Sequence, residues 1–181
     1  MGTTTPPTDI VVPRLETDRL VLRGHRPADL DACAALWSHP EVVRYIGGQP
    51  LAREDVWTRL LRYVGHWTWL GYGYWAIEEK RTGSFVGEVG LADFKRQIEP
   101  PLTGMPEMGW VLSPHAQGRG YATEAVRAVL AWHDQHPRAK RTACIIHPDN
   151  QPSRRVAEKC GYRIFRYTTY KSVPTLILTR G

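Results

Sequence analysis

One segment limits the fold more than any other. Glu107–Pro148 reads as an extended run (EMGWVL), a glycine-punctuated joint (QGRGYA), a long helix-forming run and a second, nearly continuous apolar run (RTACIIHP). An apolar run of that kind suits a strand buried on both faces. Two strands joined through one helix lie parallel, and the crossover is right-handed. The rest of the chain must therefore build a sheet around one parallel pair.

The flanking sequence supplies that sheet. RLVLRGH (Arg19–His25) alternates apolar and polar residues and predicts a strand. RPADLDACAALWSHP predicts a helix, with Pro27 near its start and Pro40 beyond its end. EVVRYIGGQP predicts a loop or a short helical turn. A second helix is expected from about Ala52 to Trp67, with Val56, Leu60, Leu61, Val64 and Trp67 as its buried stripe. Gly73–Lys80 and Ser84–Phe94 flank a short turn and predict a hairpin. Lys95–Pro106, with three prolines and a glycine, predicts a long loop. After Glu107–Leu112 comes a helix from Tyr121 to His136, with Ala122, Ala125, Val126, Val129 and Trp132 along one side. Pro152–Cys160 predicts a short helix ended by Gly161. YRIFRYTTY and TLILTR predict a closing antiparallel pair. The expected fold is mixed α/β: a mostly antiparallel sheet, one parallel pair, and helices on both faces.

Composition narrows the function. The 181 residues fit one domain, expected over 14–181 after a disordered lead of residues 1–13. Hydrophobic residues make up 42% and charged residues 23%, an ordinary globular balance. No apolar run approaches the ~20 residues that span a bilayer, and the first residues lack the pattern of a signal peptide, so a cytoplasmic protein without a membrane partner is expected. Cys33, Cys144 and Cys160 are unpaired in spacing and are expected to be reduced thiols. No Cys/His cluster has zinc spacing, so no metal is expected. The net charge of +6 favours an anionic partner. The basic residues are scattered apart from Arg138–Arg141 and the pair Arg154 and Arg155, and no nucleic-acid-binding motif occurs, so the reading is of no nucleic-acid partner.

A polyphosphate then becomes the natural anion, and the joint is where one would sit. A strand that stops where a helix begins leaves about four backbone N–H groups unpaired. Glycines allow close approach and positive φ, and the helix dipole favours negative charge. Gly118, Arg119, Gly120, Tyr121, Ala122 and Thr123 would supply such a cradle, with Arg119 adding a fixed charge. The P-loop pattern fails, because no Lys-Ser or Lys-Thr follows the second glycine. The dinucleotide fingerprint fails for want of a third glycine. On glycines alone, a plain turn before a helix explains the joint equally well.

The wider pattern resembles the GNAT superfamily of acetyl-CoA-dependent N-acyltransferases. Gln117, Gly120 and Ala122 match its signature of Gln or Arg, two residues, Gly, one residue, Gly or Ala. The likeness is greatest to the branch of the ribosomal-protein N-terminal acetyltransferases. It extends through LETDRLVLR, HPEVVRYIGG, GEVGL, PEMGWVLSPHAQGRGYATEA and HPDNQPSRRVAEKCGY, in order along nearly the whole chain. The resemblance implies that the parallel strands splay and admit the pantetheine arm of acetyl-CoA, which pairs with the backbone of Trp110, Val111 and Leu112. It implies that the N–H of Val111 or Leu112 polarises the thioester, and that Gly118–Thr123 hold the pyrophosphate. Asn150 and Ser153 match positions that touch the cofactor arm, although Asn150 also suits a helix cap.

The implied reaction is direct attack of a primary amine, from a protein N-terminus or a small molecule, on the acetyl thioester. An α-amine is neutral far more often than a lysine at neutral pH, a difference of about 3 kcal/mol in deprotonation. It needs only a modest base. Glu107 is the expected carboxylate, although a strand-end glutamate facing solvent suits it as well, and Asp93 is a second candidate. Tyr45, Trp37 and Trp75 are expected first as core residues and are the candidates for lining the acceptor pocket. Many superfamily members carry a tyrosine four residues before the glycine that ends the last helix, where it protonates the leaving thiolate. Here that position is Ala157, and Ser153 or a water is the expected donor. Tyr162 is expected to pack, and Cys160 is not expected to act as a nucleophile. The alternative is a non-catalytic acyl-CoA-binding or sensing module. Either a monomer or a homodimer suits the closing hairpin.

Overall fold

The computed structural model describes residues 11–136 and 141–181. Its eight strands are β1 (Leu15–Glu16), β2 (Leu20–Arg23), β3 (Tyr74–Glu79), β4 (Phe85–Ala92), β5 (Glu107–Leu112), β6 (Thr142–Ile146), β7 (Arg163–Tyr170) and β8 (Val173–Arg180). They form one sheet in the order β1-β2-β3-β4-β5-β6-β8-β7. Every neighbour pair is antiparallel except β5–β6. The helices are α1 (Leu30–Trp37), α2 (Pro40–Val43), α3 (Arg53–Leu70), α4 (Tyr121–Asp134) and α5 (Gln151–Lys159). No helix of the described residues is long and apolar enough to cross a membrane.

The alternation of side chains along each strand sorts the core into two layers. Leu20, Leu22, Trp75, Ile77, Val89, Leu91 and Met108 face α4 and α5, where Tyr121, Ala125, Val126, Val129 and Ala157 meet them. Tyr74, Ala92 and Val111 face α1 and α3. Trp67, Trp75 and Trp132 close one end of the first layer as an edge-to-face triangle, with centroids 4.6, 5.1 and 5.7 Å apart.

Several expectations change in detail. Val12 already packs against the first layer, and the Pro13 carbonyl accepts a 2.7 Å bond from the Trp75 indole. These two residues belong to the expected lead; its residues up to 10, like Arg138–Lys140, lie outside the described residues. The stripe of α3 also moves. Leu61 and Val64 are 53% and 48% exposed, while Tyr63 and His66 are buried. Val56, Leu60, Tyr63 and Trp67 form the i, i+4, i+7, i+11 ridge, and Leu61 and Val64 sit to one side of it. Aromatic rings with polar ends win that ridge because polar partners await them beneath. Trp75 is fully buried in the layer facing α4, the core placement expected first for it. Cys33, Cys144 and Cys160 are free and buried.

Candidate active site

The β5–β6 pair is held at one register position, Glu107 with Ala143, and the Ala143 N–H donates to the Pro106 carbonyl at 3.0 Å. Beyond it the strands diverge. Each stays fully laddered on its outer side, β5 to β4 and β6 to β8, so the inner edges are left facing a gap. A cleft of about 900 Å³ opens there. Its walls include Met108–Val111 of β5, Cys144–Ile146 of β6 with His147 just after it, and Asn150 and Ser153 at the start of α5; α3 and the loop after β4 close the other side. Asn150 caps α5, its side-chain oxygen accepting from the Ser153 N–H at 3.2 Å. Ser153 is half-buried and lies one turn ahead of Ala157, which is buried against the sheet. Tyr162 is in the core, its hydroxyl 2.8 Å from that of Thr142.

The joint after β5 is built as a turn into α4. Gln117 donates its side-chain amide to the Leu112 carbonyl at 3.1 Å, fastening the turn to the end of the strand. Gly118 and Gly120 both have left-handed φ, +73° and +81°. Gly120 is the N-cap of α4, so the first-turn N–H groups that follow it have no acceptor within the helix. A Cβ on Gly118 would meet nothing within 4 Å, leaving an open approach to this backbone. The side chains of Arg119 and Tyr121 turn inward to one carboxylate. Glu79 Oε1 accepts 2.7 Å from Arg119 and 2.6 Å from Tyr121. Those donors, Tyr121 first, then Thr82 and Arg119, push the pKa of Glu79 down to about 2. Arg19 donates to the Arg119 carbonyl at 2.9 Å and stacks on Tyr121. The Arg119 charge expected for a phosphate is thus shared with Glu79.

The other end of the cleft is polar and aromatic. Glu107 is buried and clamped by Arg96 through two bonds, 2.6 and 2.8 Å. Asp93 pairs with Lys95 at 2.6 Å. His66 lines the cleft with one ring nitrogen 3.3 Å from the Asp93 carbonyl and the other buried without a partner. Burial holds its pKa below the ordinary 6.5, so it is neutral at neutral pH. Tyr63 stacks flat on Tyr74, with centroids 4.5 Å apart. Trp37 and Tyr63 donate to Glu88 Oε2 at 2.9 and 3.1 Å, and His25 lies 3.2 Å from Oε1. Burial alone would raise the Glu88 pKa; the His25 contact and the Trp37 and Cys33 donors more than offset it and hold the group ionised. His25, Cys33 and Glu88 are the one described group with metal-ligand potential. Glu88 takes the hydrogen bonds of His25 Nε2 and Cys33, His25 Nδ1 is buried without a partner, and burial pushes the Cys33 thiol up.

The fold gathers Glu107, Trp110, Val111, Asn150 and Ser153 around the cleft. Gln117 and Gly118–Thr123 lie past the end of β5, and Leu112 serves the turn. Tyr45 borders the cleft beside His147, and Trp37 reaches it from the buried layer under α1 and α3. Sequence reasoning missed Arg96, Glu79 and Glu88, and it missed Gly109. A Cβ on Gly109 would run into the Tyr74 hydroxyl, so glycine is required for that ring to lie across β5. The adjoining pair Gly90 and Gly109, facing one another on β4 and β5, was the available signal.

The site thus sits where a sheet is split by one loosely joined parallel pair, with a glycine-capped helix at the split. The family described as Acetyltransferase (GNAT) domain matches residues 19–163. YkkB of Bacillus subtilis is 34% identical over 151 residues, covering 82% of this chain and 84% of its own. A GNAT-family acetyltransferase from Bordetella pertussis superposes with a TM-score of 0.83 at 30% identity, covering 94% of this chain and 100% of that one. RimL, the ribosomal L7/L12 α-N-protein acetyltransferase, solved with coenzyme A, shares the fold at a TM-score of 0.76 and 13% identity, covering 93% and 97%. The chain belongs to the GNAT family of acetyltransferases, which use acetyl-CoA as acetyl donor.

Proposed function

We propose that this enzyme transfers acetyl directly from acetyl-CoA to a primary amine, in the cytoplasm, without a covalent acetyl-enzyme. The single observation that carries the reading is the β5–β6 divergence, which runs from one paired position to a helix start with two left-handed glycines. In this reading the pantetheine arm adds to the inner edge of β5 at Trp110, Val111 and Leu112 as an extra strand would. Gln117 fixes the turn, and the N–H groups of Gly118–Thr123 receive the pyrophosphate. Asn150 and Ser153 border the arm from α5.

The amine nitrogen attacks the thioester carbon, and a backbone N–H of Val111 or Leu112 stabilises the oxyanion. The C–N bond forms, the C–S bond breaks, and the sulfur takes a proton. Ser153 or a water bordered by it supplies that proton, since the buried Ala157 has none. The amine's own proton leaves towards Glu107. Both oxygens of Glu107 already accept from Arg96, so the transfer runs through a bridging water.

Titration calorimetry with acetyl-CoA tests the cradle. Wild type is expected to bind at micromolar concentration, and Gly120→Glu to lose binding by 100-fold or more, since it sets a carboxylate and a strained φ at the pyrophosphate position. No binding by wild type sinks the reading. Binding without thiol release for any amine tried points to the acyl-CoA-sensing alternative.

A further inference from the structure

The cleft walls carry five Lys or Arg side chains, Arg59, Arg62, Lys95, Arg96 and Lys171, against two carboxylates, Asp93 and Glu107. Both carboxylates are already taken, by Lys95 and Arg96. Arg59 and Arg62, one turn apart on α3, have no carboxylate within ion-pair distance among the described residues. Arg59 lies 3.9 Å over the Trp37 ring with its Nε buried and unpartnered. Trp37 is itself pinned by Glu88, so this guanidinium rests on a fixed plate. Arg62 lies over Phe94 at 5.0 Å. Partial desolvation and then the Arg59 charge push the Arg62 pKa down, although Arg62 as a whole is exposed.

None of this charge serves the pyrophosphate in the reading above, because the glycine joint does not line the cleft. A cleft built for a polyamine would carry the opposite sign, since like charges repel a cationic acceptor. We propose that the acceptor is a small amino acid-type amine whose carboxylate is bound by Arg59 and Arg62 while its amino group faces the β5 edge. Paired arginine forks match a carboxylate geometrically. This inference rests on the acetyl-transfer reading and specifies its substrate class.

The test is thiol release from acetyl-CoA with a panel of α-, β- and γ-amino acids, each beside its own C-terminal amide, together with spermidine and a short peptide beginning with the same residue. The expected result is at least one amino acid used 10-fold or more efficiently than its amide. That direction is diagnostic, because the amide's amine is less basic and more often neutral. Arg59→Gln and Arg62→Gln are each expected to raise KM for that amino acid by about 10- to 100-fold, the worth of a charge-assisted hydrogen bond. Their acetyl-CoA affinity by calorimetry should match wild type. Preference for amides, spermidine or the peptide overturns the inference, as does a protein that binds acetyl-CoA and uses no amino acid. Failure to bind acetyl-CoA at all breaks the acetyl-transfer reading and takes this one with it.

Discussion

Glu79 and Glu88 stand on neighbouring strands of one sheet and face opposite sides of it. Glu79, on β3, looks towards α4 and collects Tyr121, Arg119 and Thr82. Glu88, on β4, looks towards α1 and α3 and collects Trp37, Tyr63 and His25. Each carboxylate fastens one end of the site to the sheet, Glu79 the glycine joint and Glu88 the aromatic wall of the cleft. Their surroundings differ in kind. Arg119 is 43% exposed at its side chain, so the tie at Glu79 is an ion pair at the edge of solvent. Glu88 is wholly enclosed and its donors come mostly from neutral groups. The joint is held by charge that water and salt can reach, whereas the wall is held by a buried charge with nowhere else to go.

The largest effect should come from the buried tie. Glu88→Leu strands the Trp37, Tyr63 and His25 polar groups and should cost about 3–5 kcal/mol, as loss of one partner from a buried network does. In a chain of this size that is a fall in Tm of roughly 10 °C or more, read by calorimetric melting. If the Tm stays within a degree or two, the contrast between the two carboxylates is lost.

A middle effect isolates the wall without touching charge. Gly109→Ala drives a methyl into the Tyr74 hydroxyl, and overpacking of this kind costs about 1–3 kcal/mol. Thiol-release kinetics should fall with it. Adding Tyr74→Phe removes the obstructing oxygen and should recover part of both losses. A double variant no better than Gly109→Ala would place the strain elsewhere.

The smallest effect is a pH dependence at the other carboxylate. The folded pKa of Glu79 is about 2, against an ordinary 4.5. A depressed carboxylate stabilises the fold fully above the unfolded value, and that contribution is lost as pH falls towards the folded one. The melting advantage of wild type over Glu79→Gln should therefore be constant above pH 5 and shrink between about 4.5 and 2. An advantage that grows on acidification would mean that the Tyr121 and Arg119 contacts do not hold the group ionised.

Much of this architecture was legible in the chain. The crossover from β5 to β6 followed from two apolar runs around one helix, and the closing hairpin from its alternation. The glycine joint announced itself because positive φ restricts residue choice so strongly. The stripe of α3 was misjudged because hydrophobicity alone ranks Leu61 and Val64 above Tyr63 and His66, and only the polar partners beneath the helix reverse that order. Glu79 and Glu88 were illegible for a related reason. Apart from Thr82, their partners lie 25 to 63 residues away in sequence, and a glutamate in an alternating strand looks like a solvent-facing residue until both sheet faces are known to be covered. The clamp on Glu107 hid in the proline-rich loop, where Arg96 was one of two adjacent basic residues.

The gap between β5 and β6 has a further consequence. Free backbone donors and acceptors along a strand normally invite another polypeptide to add itself, and proteins guard such edges with charges, bulges or covering loops. Here the free rungs face inward, walled by a second strand on one side and by helices above and below. If the pantetheine arm adds there as proposed, the molecule keeps the adhesive capacity of an open sheet edge for its ligand, in a place walled off from the strands of other proteins.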